Sequence, residues 1–139
     1  MRFELGGPTI VAGEQICSSV LLSKDKPDAV VCYNDMVAIG FMGGARALGI
    51  SIPDDISVVG IDNIAFGRFT SPALTTVDVQ SELLGEEGMR LLLRQIAGDA
   101  PPVTGHVAIE PRLVMRDSTR IRPVVAVQAP PVKVKGRAR

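Results

Sequence analysis

An α/β fold, a parallel sheet flanked by helices, is predicted by two observations. Segments alternate in type along the chain, apolar residues recurring at helical spacing, then running together in short β-branched stretches, then returning to helical spacing. The two clearest strands, "AVVCY" and "ISVVGI", are apolar on successive residues rather than on every second one, the pattern of strands covered on both faces. The chain has 139 residues, 46% apolar and 22% charged, which fits one soluble globular domain with a single core. Chains of this size bury roughly two-thirds of their unfolded surface, so neither a disulfide nor a metal is needed for folding.

The elements follow in order. Ile10, Cys17, Val20 and Leu21 fall at helical spacing between Ile10 and Leu22, and Lys24-Asp25-Lys26-Pro27 ends that helix. Ala29 to Tyr33 is a short strand. Met36 to Leu48 is a second helix, closed by Gly49, which can take the left-handed cap conformation. "SIPDD" turns the chain into a second strand, Ile56 to Ile61. A loop from Asp62 to Pro72 leads to a third strand, "ALTTVDV". Ser81 to Ala97 is the clearest helix: Leu84, Leu91, Leu92 and Ile96 form its stripe, and Glu82, Glu86, Arg90 and Arg94 step along the other face, acids first as the helix dipole prefers. Gly98 caps it, Asp99 to Pro102 links, and "HVAIEPRLVMRDST" reads as two short strands broken by Pro111.

Net charge is zero, yet six of the fifteen bases, Arg120, Arg122, Lys133, Lys135, Arg137 and Arg139, lie in the last twenty residues without an acid among them. Residues 1–119 therefore hold nine bases against fifteen acids, about −6, which argues against a phosphate-binding face on the domain body. Residues 120–139 read as a basic, proline-punctuated disordered tail, capable at most of non-specific contact with nucleic acid. Cys17 and Cys32 have no metal-ligand or C-x-x-C spacing and read as free buried thiols of a reducing cytoplasm. No export signal or membrane-length apolar run is visible, so a cytoplasmic protein without membrane contact is expected.

Two polar strand ends interrupt this core. In open parallel sheets ligands bind beyond the carboxyl ends of the strands. Asn34-Asp35 ends one strand and Asp62-Asn63 the next, so neighbouring strands would bring two amides and two carboxylates to one rim. Asn donates and accepts while Asp accepts twice, which suits an uncharged polyhydroxylated or amide-rich molecule better than an anion. Asp35 also stands where a helix N-cap is expected, and capping is favoured for it, with Asn63 as its counterpart on the rim. Gly40, Gly43 and Gly44 sit inside a helix and read as close-packing positions, not a phosphate cradle. His106 lacks a nucleophile motif, the methionines Met36, Met42, Met89 and Met115 read as core filler, and Phe66 and Phe69 read equally as an apolar patch suited to a subunit contact or as plain core residues. No nucleophile–base pair, cofactor motif or metal cluster is visible, so no enzyme activity, cofactor or metal is expected.

The ordered motifs "PDAVVCYND", "ARALGISIPDDISVVGID", "SPALTTVDV", "ELLGEEGMRLLLRQIAG" and "PRLVMRDST" together resemble the carboxyl-terminal part of the lactose-repressor/galactose-repressor (LacI/GalR-type) family of bacterial transcription regulators, from about Gly13 to Thr119. The resemblance implies an incomplete periplasmic-binding-protein-like (type I) effector domain over residues 1–119. It implies a dimer that binds a sugar or nucleoside-like effector through Asn34 and Asp62 and acts on operator DNA only through a helix-turn-helix domain not present in this chain. Pro8 occupies the place where the family often has an aromatic ring that stacks on a sugar, and Val79 replaces a frequent glutamine. The chain is expected to cross between two lobes near Val79 and Gly105, so that residues 80–104 belong to a second lobe. With half of the crevice missing, the expectation is a fragment that associates, re-packs or is marginally stable. The alternatives are an extracytoplasmic sugar-binding protein of the same architecture, a truncated non-functional regulator, or an aspartate-rich phosphoryl-accepting enzyme, for which the required lysine is missing between Asn34 and Asp117.

Overall fold

The computed structural model describes residues 7–98 and 107–121. The order is α1 (Ile10–Leu21), β1 (Ala29–Val31), α2 (Asp35–Ala47), β2 (Ser57–Ile61), a 3-10 turn (Ala65–Phe69), β3 (Thr75–Asp78), α3 (Ser81–Ile96) and β4 (Arg112–Val114). The strands form one sheet in the order β1-β2-β3-β4, parallel across the first three and antiparallel between β3 and β4. The sheet is therefore mixed, with an antiparallel edge.

Helix α1 starts where Thr9, in extended conformation, accepts the Ala12 N–H on its hydroxyl at 3.2 Å. Its apolar stripe packs along α2, and α2 lies on β2. Cys17, Val20 and Leu21 meet Val37, Ala38, Phe41, Met42 and Ala45 above Cys32, Ile56, Val58 and Leu74. Phe41 is wholly buried at the centre of this cluster, a burial that contributes roughly 1.5–3 kcal/mol. The helices approach closely because two glycines face backbone: a Cβ on Gly40 would stand 1.8 Å from the Ile10 carbonyl oxygen, and one on Gly13 2.1 Å from that of Val37. Gly44 faces Cys17, whereas Gly43 points into open space, so close packing accounts for Gly40 and Gly44 but not for Gly43.

Several expectations are corrected. The apolar runs do not mean burial on both faces: in β2 Val58 and Gly60 are buried while Ser57, Val59 and Ile61 are only half-buried, and Val31 of β1 is exposed. Both α1 and α2 cover the same face, so the alternation inherent in a strand reappears despite apolar residues on both sides. Strand β1 ends at Val31, and of the two strands expected around Pro111 only β4, after it, forms among the described residues. Of the methionines taken as filler, Met42 is buried whereas Met36, Met89 and Met115 are exposed. Helix α3 has the expected amphipathic pattern, but none of its residues is buried, and Leu84, Leu92 and Ile96 are exposed. Arg120, assigned to the tail, is tied to Asp54 through its guanidinium at 3.2 Å from the carboxylate and 2.6 Å from the carbonyl. Residues 122–139 of that tail, the linker Asp99 to Pro102, the crossing near Gly105 and His106 lie outside the described residues.

Candidate functional site

Because β1, β2 and β3 run parallel, their carboxyl ends open on one edge of the sheet. Asn34, Asp62-Asn63 and Asp78-Val79-Gln80 follow those ends in turn. The first two ends are the ones expected to meet, and adjacent parallel strands bring Asn34 and Asp62-Asn63 to one edge, whereas Asp35 turns into the core.

Within the first pair the capping role expected of Asp35 falls to Asn34. Asn34, not Asp35, is the N-cap of α2: its backbone is extended (φ −152°, ψ 175°) and its side-chain oxygen accepts the Val37 N–H at 2.9 Å. Its amide nitrogen reaches the Pro8 carbonyl at a long 3.4 Å, so that NH2 group stays half-exposed on the rim beside exposed Pro8. Tyr33, immediately before it, is 77% exposed and adds an open aromatic ring that the sequence did not single out.

Asp35 is instead fully buried. One carboxylate oxygen accepts the Thr76 hydroxyl at 2.5 Å and the other accepts the Ile64 N–H at 2.8 Å. Burial pushes the Asp35 carboxyl above its usual range, the bonds from Thr76 and Ile64 pull it back, nearby Asp62 raises it and Arg116 lowers it. Gly60 leaves the space it needs, for a Cβ there would sit 2.1 Å from the Asp35 oxygen.

The second pair sits on an unusual backbone. Asp62 and Asn63 have φ of 108° and 53°, positive values that for non-glycine residues cost about 1–2 kcal/mol each, less for Asp and Asn than for others. Neighbours hold them there: the Asp62 N–H donates to the Val77 carbonyl at 2.9 Å, the Asn63 N–H to the Thr76 hydroxyl at 3.2 Å, and the Arg116 guanidinium to the Asn63 side-chain oxygen at 2.6 Å. Asn63 is thereby a half-buried structural residue, while the Asp62 side chain is exposed and takes no hydrogen bond from another described residue. At the third strand end Asp78 accepts the Gln80 N–H at 2.8 Å, and the Gln80 amide donates to the Glu110 carbonyl, so neither is left open as Asp62 is.

Arg116, Thr76 and Ser118 were missed by sequence reasoning. Arg116 also donates to the Leu74 carbonyl at 2.7 Å. Buried Ser118 donates to the Val58 carbonyl at 2.7 Å and accepts the Thr75 N–H at 2.8 Å, stitching β2 to β3. Phe66 and Phe69, in the 3-10 turn after Asp62, are 58% and 74% exposed. Among the described residues no group of His, Cys, Asp and Glu is placed to hold a metal, and no helix is long and apolar enough to cross a membrane. Cys17 and Cys32 are buried free thiols, with burial the leading cause that pushes them up to about 11 and about 12, respectively.

An exposed carboxylate and a half-exposed amide on a strand-end rim offer one acceptor and one donor to a hydroxyl-bearing molecule. Comparisons with known proteins identify the family. Residues 6–119 match the family of periplasmic binding protein-like domains. The chain is 39% identical over 109 residues to the HTH-type transcriptional repressor PurR of Mannheimia succiniciproducens, covering 78% of this chain and 32% of that protein. It is 41% identical over 111 residues to the HTH-type transcriptional regulator MalR of Streptomyces coelicolor, covering 80% and 32%. A LacI family transcriptional regulator from Arthrobacter sp. FB24, solved in complex with lactose, superposes with a TM-score of 0.76 at 26% identity, covering 83% of this chain and 43% of that one. The chain thus spans about a third of the length of the curated relatives it matches. It belongs to the periplasmic binding protein-like domain family and is similar to transcription regulators of the LacI/GalR type.

Proposed function

We propose that this chain senses an uncharged small molecule, a sugar or a nucleoside-like compound, on the rim formed by Asn34 and Asp62, and that occupancy of this rim alters the grip of a helix-turn-helix element on operator DNA. The carrying observation is that the Asn34 amide and the Asp62 carboxylate, one donor and one acceptor without saturating partners among the described residues, stand at the ends of adjoining parallel strands. Hydroxyl-rich ligands both donate and accept, so this pair matches them, whereas an anion would meet the Asp62 charge. The lactose complex of the Arthrobacter regulator supports a sugar. Pro8 borders the rim, and the exposed ring of Tyr33 is available to stack where Pro8 offers no aromatic.

Residues 1–119 are assigned to the effector domain, with 80–104 as part of a second lobe; the apolar stripe of α3, of which no residue is buried, supports that assignment, since such a stripe requires a cover. Phe66 and Phe69 are assigned to a homodimer contact, supported by their exposure on one turn, and the protein to the cytoplasm, where operator DNA lies. A thermal-shift screen of ribose, lactose, cellobiose and adenosine against wild type and Asp62→Ala tests the site. At least one compound should raise the wild-type Tm and lose that effect in Asp62→Ala; a stabilisation that survives the substitution contradicts the assignment.

A further inference from the structure

We propose that Asp35 is the positioning residue of this rim: together with Thr76 it clasps the consecutive amides of Asn63 and Ile64 and so holds Asp62 with its carboxylate turned to the ligand. The inference rests on the effector reading above but concerns a residue that, being wholly buried, touches no ligand itself. Two successive N–H groups of the β2 exit are received by two side chains from different elements, Ile64 by Asp35 at 2.8 Å and Asn63 by Thr76 at 3.2 Å, and these two side chains are bonded to one another at 2.5 Å. The clasp thus joins the start of α2, the loop after β2 and the middle of β3. Asp62, immediately before the clasped pair, carries the φ of 108° that a free loop would relax. Arg116 holds Asn63 from the other side.

A carboxylate is an unfavourable residue for a merely structural core position, where an apolar side chain of similar size usually serves as well or better. Here its chemistry is needed, because both oxygens must accept: the Ile64 N–H can only donate, and the Thr76 hydroxyl, which already accepts from Asn63, directs its proton to Asp35. An asparagine would turn an NH2 toward one of these donors. Gly60 fits the same device, since any Cβ there would occupy the place of the Asp35 oxygen.

The test is amide hydrogen exchange by two-dimensional NMR on the full chain, wild type against Asp35→Asn, Thr76→Val and Thr76→Ser, with the amides of Phe41 and Met42 in α2 monitored alongside to report on global opening. Relative to those two amides, exchange at Asn63 and Ile64 is expected to accelerate ~10-fold or more in Asp35→Asn and Thr76→Val, and to stay within ~2-fold of wild type in Thr76→Ser, which keeps the hydroxyl. Exchange that rises only in step with Phe41 and Met42, or a Thr76→Ser variant as impaired as Thr76→Val, overturns the clasp. Should Asp35→Asn fail to fold, the two Thr76 variants decide. Ribose, lactose and adenosine serve as binding probes on the same samples: Asp62-dependent binding should weaken ~10-fold in Thr76→Val and ~2-fold or less in Thr76→Ser. A wild-type chain that binds none of them through Asp62 contradicts the effector reading, and the exchange data still pass judgement on the clasp.

Discussion

Gly40 and Gly43 lie three residues apart in one helix, yet replacing each by alanine should shift stability in opposite directions. At Gly40 a Cβ would stand 1.8 Å from the Ile10 carbonyl oxygen and 2.7 Å from its carbon, where a carbon–oxygen contact is comfortable at about 3.3–3.6 Å. The obstacle is backbone, so no side chain can swing away and α1 must retreat by about 1.5 Å. Overpacking of this kind costs about 1–3 kcal/mol, and backbone displacement along a whole helix pair places it at the upper end. The helix preference of alanine over glycine returns about 1 kcal/mol, for a net loss of about 2 kcal/mol. At Gly43 nothing lies within 4 Å, so Gly43→Ala keeps only the helix gain, about 0.5–1 kcal/mol. Urea unfolding followed by far-ultraviolet circular dichroism should separate the two midpoints by about 1–2 M, for m near 2 kcal/mol/M. Midpoints that move together, in either direction, would refute the close approach of α1 and α2 as the reason for glycine at position 40.

Ser118→Ala removes a hydroxyl that serves both the Val58 carbonyl and the Thr75 N–H in a buried position, and should cost about 1–3 kcal/mol in the same urea assay; a loss below about 0.5 kcal/mol would show that the β2–β3 stitch is unimportant. Arg120→Ala removes a partly exposed ion pair with Asp54 and should cost at most about 1 kcal/mol. The buried thiols should react with a disulfide reagent only as fast as the domain opens, so that urea below the midpoint accelerates labelling. Their pH effect has a definite sign. An unfolded thiol ionises near 8.5, whereas folded Cys17 and Cys32 are raised to about 11 and about 12, so the folded state retains protons that the unfolded state releases. The stability they contribute is complete below pH 8 or so and is lost as pH rises through about 11–12. The urea midpoint should fall between pH 8 and 11, and fall less in Cys32→Ala.

The helices and the adjacency of the first two strand ends were legible because periodicity and the position of polar pairs report directly on local geometry. The choice of Asn34 over Asp35 as the cap was not, since either residue caps a helix well, and the choice is made by which of them lies in extended backbone. Asp35 is withdrawn into the core by Thr76 and Ile64, partners 41 and 29 residues away, and no local pattern announces them. Thr76 reads in sequence as one more β-branched strand residue, and Arg116 as a solvated charge. One-sided coverage of the sheet was hidden for a different reason: apolar runs record what a strand tolerates on both faces, whereas burial depends on which helices arrive.

The most direct measurement is a two-dimensional NMR titration of the chain with ribose, lactose, cellobiose and adenosine, mapping shift changes onto the two ends of the sheet. A compound bound at the strand-end rim should perturb Tyr33, Asn34 and Asp62 and leave the opposite end, around Lys24 to Pro27 and Asp54-Asp55, unchanged. Shifts centred on that opposite end, with the rim silent, would contradict a ligand site between Asn34 and Asp62.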